Sequence, residues 1–266
     1  LPAWGFGLVL ASFVGVVIIG GISRIGAVTE RLVPLMAGGY IVACLVVLGV
    51  NATAIPAAIT TIVREAFAPT AAAGGVVGVI VQGVRRSSFS NEAGEGSAAI
   101  AHAPSRTSQP VREGLVAALE PFIDTVVVCN MTAIVIVTTG AYQHSGTTLS
   151  GVAMTANAFA TVVDWFPICL SLATCLFAFS TILSWSYYGL QAWSYLFGTE
   201  TKFIFKGIYV LCSFIGCLVS LELIIDFSDL MLLGMSLPNL IGCYLLSNEV
   251  AVDLRDYWTA LNPNQG

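Results

Sequence analysis

The chain has 266 residues, 57% of them hydrophobic and only 9% charged, with a formal net charge of −5. A water-facing domain carries about 25% charge, so this chain cannot cover a solvated surface and must face lipid. Its 10 Lys and Arg residues are dispersed, so nothing points to nucleic-acid binding.

Spans are the useful unit, at about 20 apolar residues each. Seven segments, A to G, follow in chain order: 4–22, 31–50, 71–103, 112–139, 163–196, 203–224 and 229–249. They predict one transmembrane domain over 1–266, an all-α polytopic helical bundle, because backbone groups in lipid must bond within their own segment. The stretch Gly140 to Val162, rich in Ser, Thr, Gly and Ala, reads as an external loop with room for a short helix. Pro121 and Pro167 read as interruptions of D and E. The chain opens on Leu1-Pro-Ala-Trp, without Met, so upstream sequence is expected. Cys44, Cys129, Cys169, Cys175, Cys212, Cys217 and Cys243 lie in apolar runs, odd in number and without a CxxC, and read as small buried hydrophobes.

Positive charge orients the bundle. If all seven segments cross, Arg24, Arg31, Arg106, Arg112, Lys202, Lys206 and Arg255 fall on one side and Arg64 alone on the other. That places the first side, and the C-terminus, in the cytoplasm.

Segment C is the unusual one. It holds Gly74, Gly75, Gly78, Gly83, Gly94 and Gly96 together with Arg85, Arg86, Asn91, Glu92, Glu95 and His102. A charge at mid-bilayer costs at least about 2.5–3.5 kcal/mol, so the segment must be enclosed by protein or line a wet cavity. Ser90-Asn-Glu-Ala-Gly-Glu-Gly-Ser97 reads as a break in a helix. A break exposes amides, which suit a carboxylate, and carbonyls, which suit a hard cation such as Na⁺. The alternative is a surface loop with a short re-entrant piece.

The stretch Val84-Arg-Arg-Ser-Ser-Phe-Ser-Asn-Glu-Ala-Gly-Glu-Gly-Ser-Ala-Ala-Ile-Ala-His102 resembles the hallmark of the alanine or glycine:cation symporters, the sodium:alanine symporter family. Gly20-Gly-Ile-Ser-Arg-Ile25, Val33-Pro-Leu-Met-Ala37, Phe122-Ile-Asp-Thr125 and Ser184-Trp-Ser-Tyr-Tyr-Gly189 extend the resemblance over nearly the whole chain. It implies a leucine-transporter-like inverted-repeat fold, with A to G as core helices four to ten and C as the second of two broken helices. It also implies that the first repeat, with half of the binding site, is missing here. Two departures stand out: Glu95 where the family usually has an apolar residue, and Glu113 where it usually has Gln.

Asn91, Glu92, Ala93 and Gly94 are the leading substrate-site candidates, with backbone amides for a carboxylate. Glu92 has a structural reading beside this one, as a helix cap or a partner of Arg85 or Arg86. Asp124 and Thr125 lie about four turns into D, where a carboxylate must be paired, protonated or bound to a cation. By the resemblance they are candidates for one sodium site; a helix-to-helix hydrogen bond is the alternative. Thr181, Ser184 and Trp185 are three or four apart on E and share a face. The resemblance makes Thr181 and Ser184 second-site sodium ligands, with Thr181 and Trp185 also shaping the substrate pocket. Against that, Ser and Thr often bond back to their own helix. His102 reads as a polar boundary residue.

The resemblance therefore implies a plasma-membrane symporter that couples Na⁺ to a small neutral amino acid of the alanine or glycine type, with no other cofactor. Proton coupling and a non-transporting membrane scaffold are the alternatives. An intramembrane enzyme is disfavoured: there are two His, and Ser97 and His102 are poorly matched in facing. No repeated pore-lining motif supports a channel.

Overall fold

The computed structural model describes residues 2–66, 76–144 and 151–261. Residues 71–75 of segment C, with Gly74 and Gly75, lie outside them, as do 145–150 of the predicted external loop and 262–266 of the tail. Among the described residues the regular structure is wholly helical. We number the helices α1 (Ala3–Ile19), α2 (Gly21–Val50), α3 (Ile55–Ala66), α4 (Val76–Asn91), α5 (Ser97–His102), α6 (Pro110–Thr138), α7 (Val152–Ala160), α8 (Phe166–Phe197), α9 (Lys202–Gly216) and α10 (Leu221–Leu261). Four of them, α2, α6, α8 and α10, are long and apolar enough to cross a membrane, and α1 is apolar but shorter. This is the make-up of an all-α, multi-pass membrane protein. Leu35, Ile168, Phe203 and Leu245 are among many large apolar side chains left exposed, as contact with lipid requires.

Three boundaries differ from those read in the sequence. Arg24 and Arg31, expected in a turn, lie inside α2, and the chain bends instead at Gly20–Gly21, where Gly21 takes φ +72°. A turn is not forced by charge, because arginines at a helix end can extend their charged heads to the interface. Segment F ends early, at Gly216, and α10 starts at Leu221, so the expected F–G loop at 225–228 is helical. Pro167 stands in the first turn of α8 rather than interrupting it. A missing N–H costs nothing there. Pro121 does mark a change: a π-helical stretch, Phe122–Cys129, follows it within α6. The short helix α3 was not foreseen, and α7 occupies part of the predicted external loop.

The chain divides into two compact units, one of Leu1–Ile80 and Val127–Val219, the other of Val81–Val126 and Ser220–Gly266. In the first, α1 packs on α9, and α8 packs on α1, α2, α7 and α9. One core gathers Cys44 and Val47 of α2, Val135 of α6, Phe159 of α7 and Leu170 of α8. A second gathers Val14, Val17 and Ile18 of α1 with Ile25 and Leu183. Lipid offers no hydrophobic gain for such packing, so close approach between small residues matters. Gly7 of α1 is an instance: a Cβ there would lie 3.0 Å from the Cys217 Cβ. In the second unit, α10 and α5 both pack on the first two turns of α6.

Candidate functional site

The helix of segment C is broken where the sequence placed the break. α4 ends at Asn91, Glu92 to Gly96 are non-helical, and α5 resumes at Ser97. Three residues of the break have positive φ: Glu92 at 54°, Gly94 at 86° and Gly96 at 103°. The glycines take these values at no steric cost, whereas Glu92 is a side chain held in a sparsely populated region. What holds it is local. The fully buried Ser97 hydroxyl donates to Glu92 Oε2 at 2.6 Å, joining the two edges of the break. The Glu92 amide donates to the Ser88 carbonyl at 3.0 Å, and the Glu95 amide to the Glu92 carbonyl at 3.2 Å.

The break is tied to two other helices in the same unit. Ser90 donates to Asp124 Oδ2 at 2.6 Å, and Asn91 Nδ2 donates to Thr125 Oγ1 at 3.2 Å. Asp124 and Thr125 are consecutive residues of the π stretch, a geometry that recurs at functional sites. From α10, Asn239 Nδ2 donates to the Gly94 carbonyl at 2.9 Å. Of the site residues expected from the sequence, Asn91, Asp124 and Thr125 are thus brought together. The amide oxygen of Asn91 also accepts from the Ala93 N–H at 2.9 Å. In this conformation, then, the Glu92 and Ala93 amides have partners inside the protein, where the sequence reading offered them to a substrate carboxylate.

Arg85 and Arg86 make their ion pairs with α10. Both guanidinium groups bond Asp229, Arg86 at 3.1 Å, and Arg85 also reaches Asp226 at 3.1 Å. Asp229 is 4% exposed. Asp226, Asp229 and Asn239 were not singled out from the sequence. The signal was present, since two aspartates three apart in an apolar run need partners. The early loop assignment at 225–228 concealed it.

His102, at the end of α5, has its Nδ1 2.6 Å from Glu113 Oε1, one of the two departures from the family pattern. Glu95, the other departure from the family pattern, is 3% exposed.

Thr181, Ser184 and Trp185 lie on α8, in the first unit. Ser184 bonds back to the Ser180 carbonyl at 3.2 Å, as Ser180 does to Phe177 and Ser186 to Leu183. The exposed Thr181 hydroxyl takes up no such carbonyl among the described residues. Trp185 packs edge-on against Tyr188, with ring centroids 5.6 Å apart. Tyr209 of α9 donates to the Ile182 carbonyl at 2.7 Å, pinning α8 one residue beyond Thr181. A cavity of about 220 Å³ in the same unit is lined by Tyr40, Thr155, Thr174 and Phe177, with Val128, Val152 and Leu170.

A model of the sodium:alanine symporter family matches residues 1–265. A sodium/alanine symporter of Methanococcus maripaludis is 40% identical over 253 residues, which is 94% of this chain and 56% of that protein. A probable sodium/glutamine symporter of Bacillus subtilis is 38% identical over 94% of this chain and 53% of its own length. A sodium/proton-dependent alanine carrier of Bacillus sp. strain PS3 is 30% identical over 97% of this chain and 62% of its own. The chain thus spans somewhat more than half the length of these relatives, which are transporters and not enzymes. With its family model matched almost end to end, the chain belongs to the sodium:alanine symporter family.

Proposed function

We propose that the protein carrying this chain is a secondary transporter of the cell membrane. It couples the inward movement of Na⁺ to uptake of a small neutral amino acid of the alanine or glycine type, with no other cofactor. The observation that carries the reading is the α4–α5 break: the Ser90 and Asn91 side chains at its edge bond Asp124 and Thr125, and its Gly94 carbonyl accepts from Asn239. Discontinuous helices with irregular backbone at their ends are how secondary transporters hold substrate and ion together. The sodium/alanine name of one relative supports the alanine-type substrate, and the sodium/glutamine name of another supports a neutral amino acid more broadly.

In this reading Asn91, Glu92, Ala93 and Gly94 border the substrate, and its carboxylate competes for the break amides now taken by Ser88 and Asn91. Asp124 and Thr125 offer oxygens to one Na⁺. Thr181 and Ser184 offer hydroxyls to a second, while Thr181 and Trp185 bound the substrate pocket. Hydroxyl, carbonyl and carboxylate oxygens are the hard ligands that Na⁺ prefers. The architecture is the leucine-transporter-like inverted repeat, with the C-terminus cytoplasmic by the distribution of Arg and Lys.

The test is uptake of radiolabelled alanine into proteoliposomes holding the full-length protein, with and without an inward Na⁺ gradient, alongside Thr181→Ala. Uptake driven by Na⁺ and lost in the variant supports the reading. Absence of uptake for alanine, glycine and glutamine by folded, inserted protein overturns it.

A further inference from the structure

Glu95 is a carboxylic acid with no structural explanation. It lies inside the break, is 3% exposed, and its Oε2 is buried without a hydrogen-bond partner among the described residues. Glu92, in the same break, and Asp229, on α10, are the charged groups that act on it, and both are acidic. The two cations of α4 are already committed: Arg85 and Arg86 both bond Asp229, and Arg85 also reaches Asp226. His102, at the far end of α5, is held by Glu113 at 2.6 Å. Both guanidinium groups are thus engaged by Asp226 and Asp229.

Burying an unpaired carboxylate costs far more than burying the neutral acid, so such a group takes a proton or a cation. The surroundings separate the two. Na⁺ needs several oxygens around it, as other hard cations do, whereas a proton needs one. Among the described residues Glu95 Oε2 has no hydrogen-bond partner, so none of them builds an oxygen cage around it. At 3% exposure there is also no opening for an organic ammonium group.

We propose that Glu95 is a proton-binding site of the transporter: its carboxyl is neutral while the break is enclosed and releases its proton when the transport cycle hydrates the break. The proton leaves to water on the side that is then open, and the carboxylate takes one up again before the break closes. This inference rests on the transport reading given above and adds a proton to the ions that cross or gate.

Two measurements on the full-length protein test it. The first is infrared difference spectroscopy between acidic and alkaline pH. A protonated-carboxyl C=O band lost in Glu95→Gln is expected, and absence of any band assignable to this residue overturns the proposal, as would follow if a cation from elsewhere in the protein paired with it. The second is alanine uptake into proteoliposomes under a fixed Na⁺ gradient, with and without a pH gradient. The ratio of the two rates should depart from one in the wild type and return to one in Glu95→Gln, whatever the absolute rate of the variant. A wild-type ratio of one, or a variant that keeps the wild-type ratio, overturns the proposal while leaving Na⁺-driven symport standing. An infrared band that behaves as expected in a protein that moves no amino acid retains the proton site and removes the transport reading instead.

Discussion

Asn239 donates its side-chain amide to the Gly94 carbonyl at 2.9 Å, across 145 positions of sequence. It is the bond that anchors the loop of the break to α10. Hydrogen bonds between helices in membranes are worth about 0.6 kcal/mol on average and up to about 1.7. Asn239→Ala should lower thermal stability by an amount in that range, read by a thiol-reactive unfolding assay in detergent. It should lower alanine uptake more than the stability loss accounts for. Equal effects on both would make the bond a packing detail.

Gly96 combines two constraints. Its φ is +103°, and a Cβ there would lie 3.3 Å from the Asn239 Cβ. Gly96→Ala is expected to cost about 1–3 kcal/mol from backbone strain, with crowding in addition. In an Asn239→Gly background the crowding vanishes and the strain does not, so Gly96→Ala should cost less there while remaining destabilising. Identical costs in the two backgrounds would show that the conformation alone matters.

Asp124 receives the Ser90 hydroxyl at 2.6 Å. A hydrogen bond to a charged group is worth about 1.5–3 kcal/mol. Under the sodium assignment, Asp124→Asn should raise the Na⁺ concentration for half-maximal uptake at least tenfold, while the alanine KM at saturating Na⁺ moves less. Ser90→Ala, which keeps the charge, should shift it by a smaller factor. A larger effect on alanine than on Na⁺ in Asp124→Asn would assign the residue to substrate.

Ser184 is engaged with the Ser180 carbonyl, and Thr181 takes up no intrahelical carbonyl among the described residues. If the α8 hydroxyls coordinate Na⁺, Thr181→Ala and Ser184→Ala should both weaken Na⁺ dependence, since a hydroxyl that donates its proton to a carbonyl keeps its oxygen lone pairs for the cation. Flux measured across a Na⁺ titration of both variants checks this, and an unchanged Na⁺ dependence in either removes that hydroxyl from the site.

The carboxylate of Asp229 is buried, whereas the Asp226 side chain is 73% exposed. Removing a buried partner leaves charges uncompensated, at about 1–3 kcal/mol or more, while exposed pairs contribute about 0–1 kcal/mol. Asp229→Asn should therefore destabilise the protein clearly and Asp226→Asn hardly at all, in the same thermal assay.

Much of this was legible in the sequence, for physical reasons. Composition required helices in lipid, and glycines beside charges required a break between Asn91 and Ser97. The pairing of Asn91 with Thr125 was not legible, because no periodicity links residues 34 apart. Nor was the continuation of α10 back to Leu221, because Asp226 reads as a loop residue and its partner, Arg85, lies 141 positions away. The bend at Gly20 was misread because Arg24 and Arg31 suggest a turn, although helix ends tolerate them. Charge marks depth in the membrane poorly when its partner lies far away in sequence.

The π stretch Phe122–Cys129 has a bearing on how this protein can change in length. A π turn accommodates one residue more than an α turn of the same span, so it is an insertion absorbed in place. Deleting a residue there lets the helix revert to α form with both flanks still in phase. A deletion in the middle of α8, by contrast, turns everything beyond it by about 100°. The stretch most forgiving of gained or lost residues is thus the one that carries Asp124. Lineages drifting in length at this point would re-aim one carboxylate and leave the helix on either side in register, a route by which this position can diverge without a new fold.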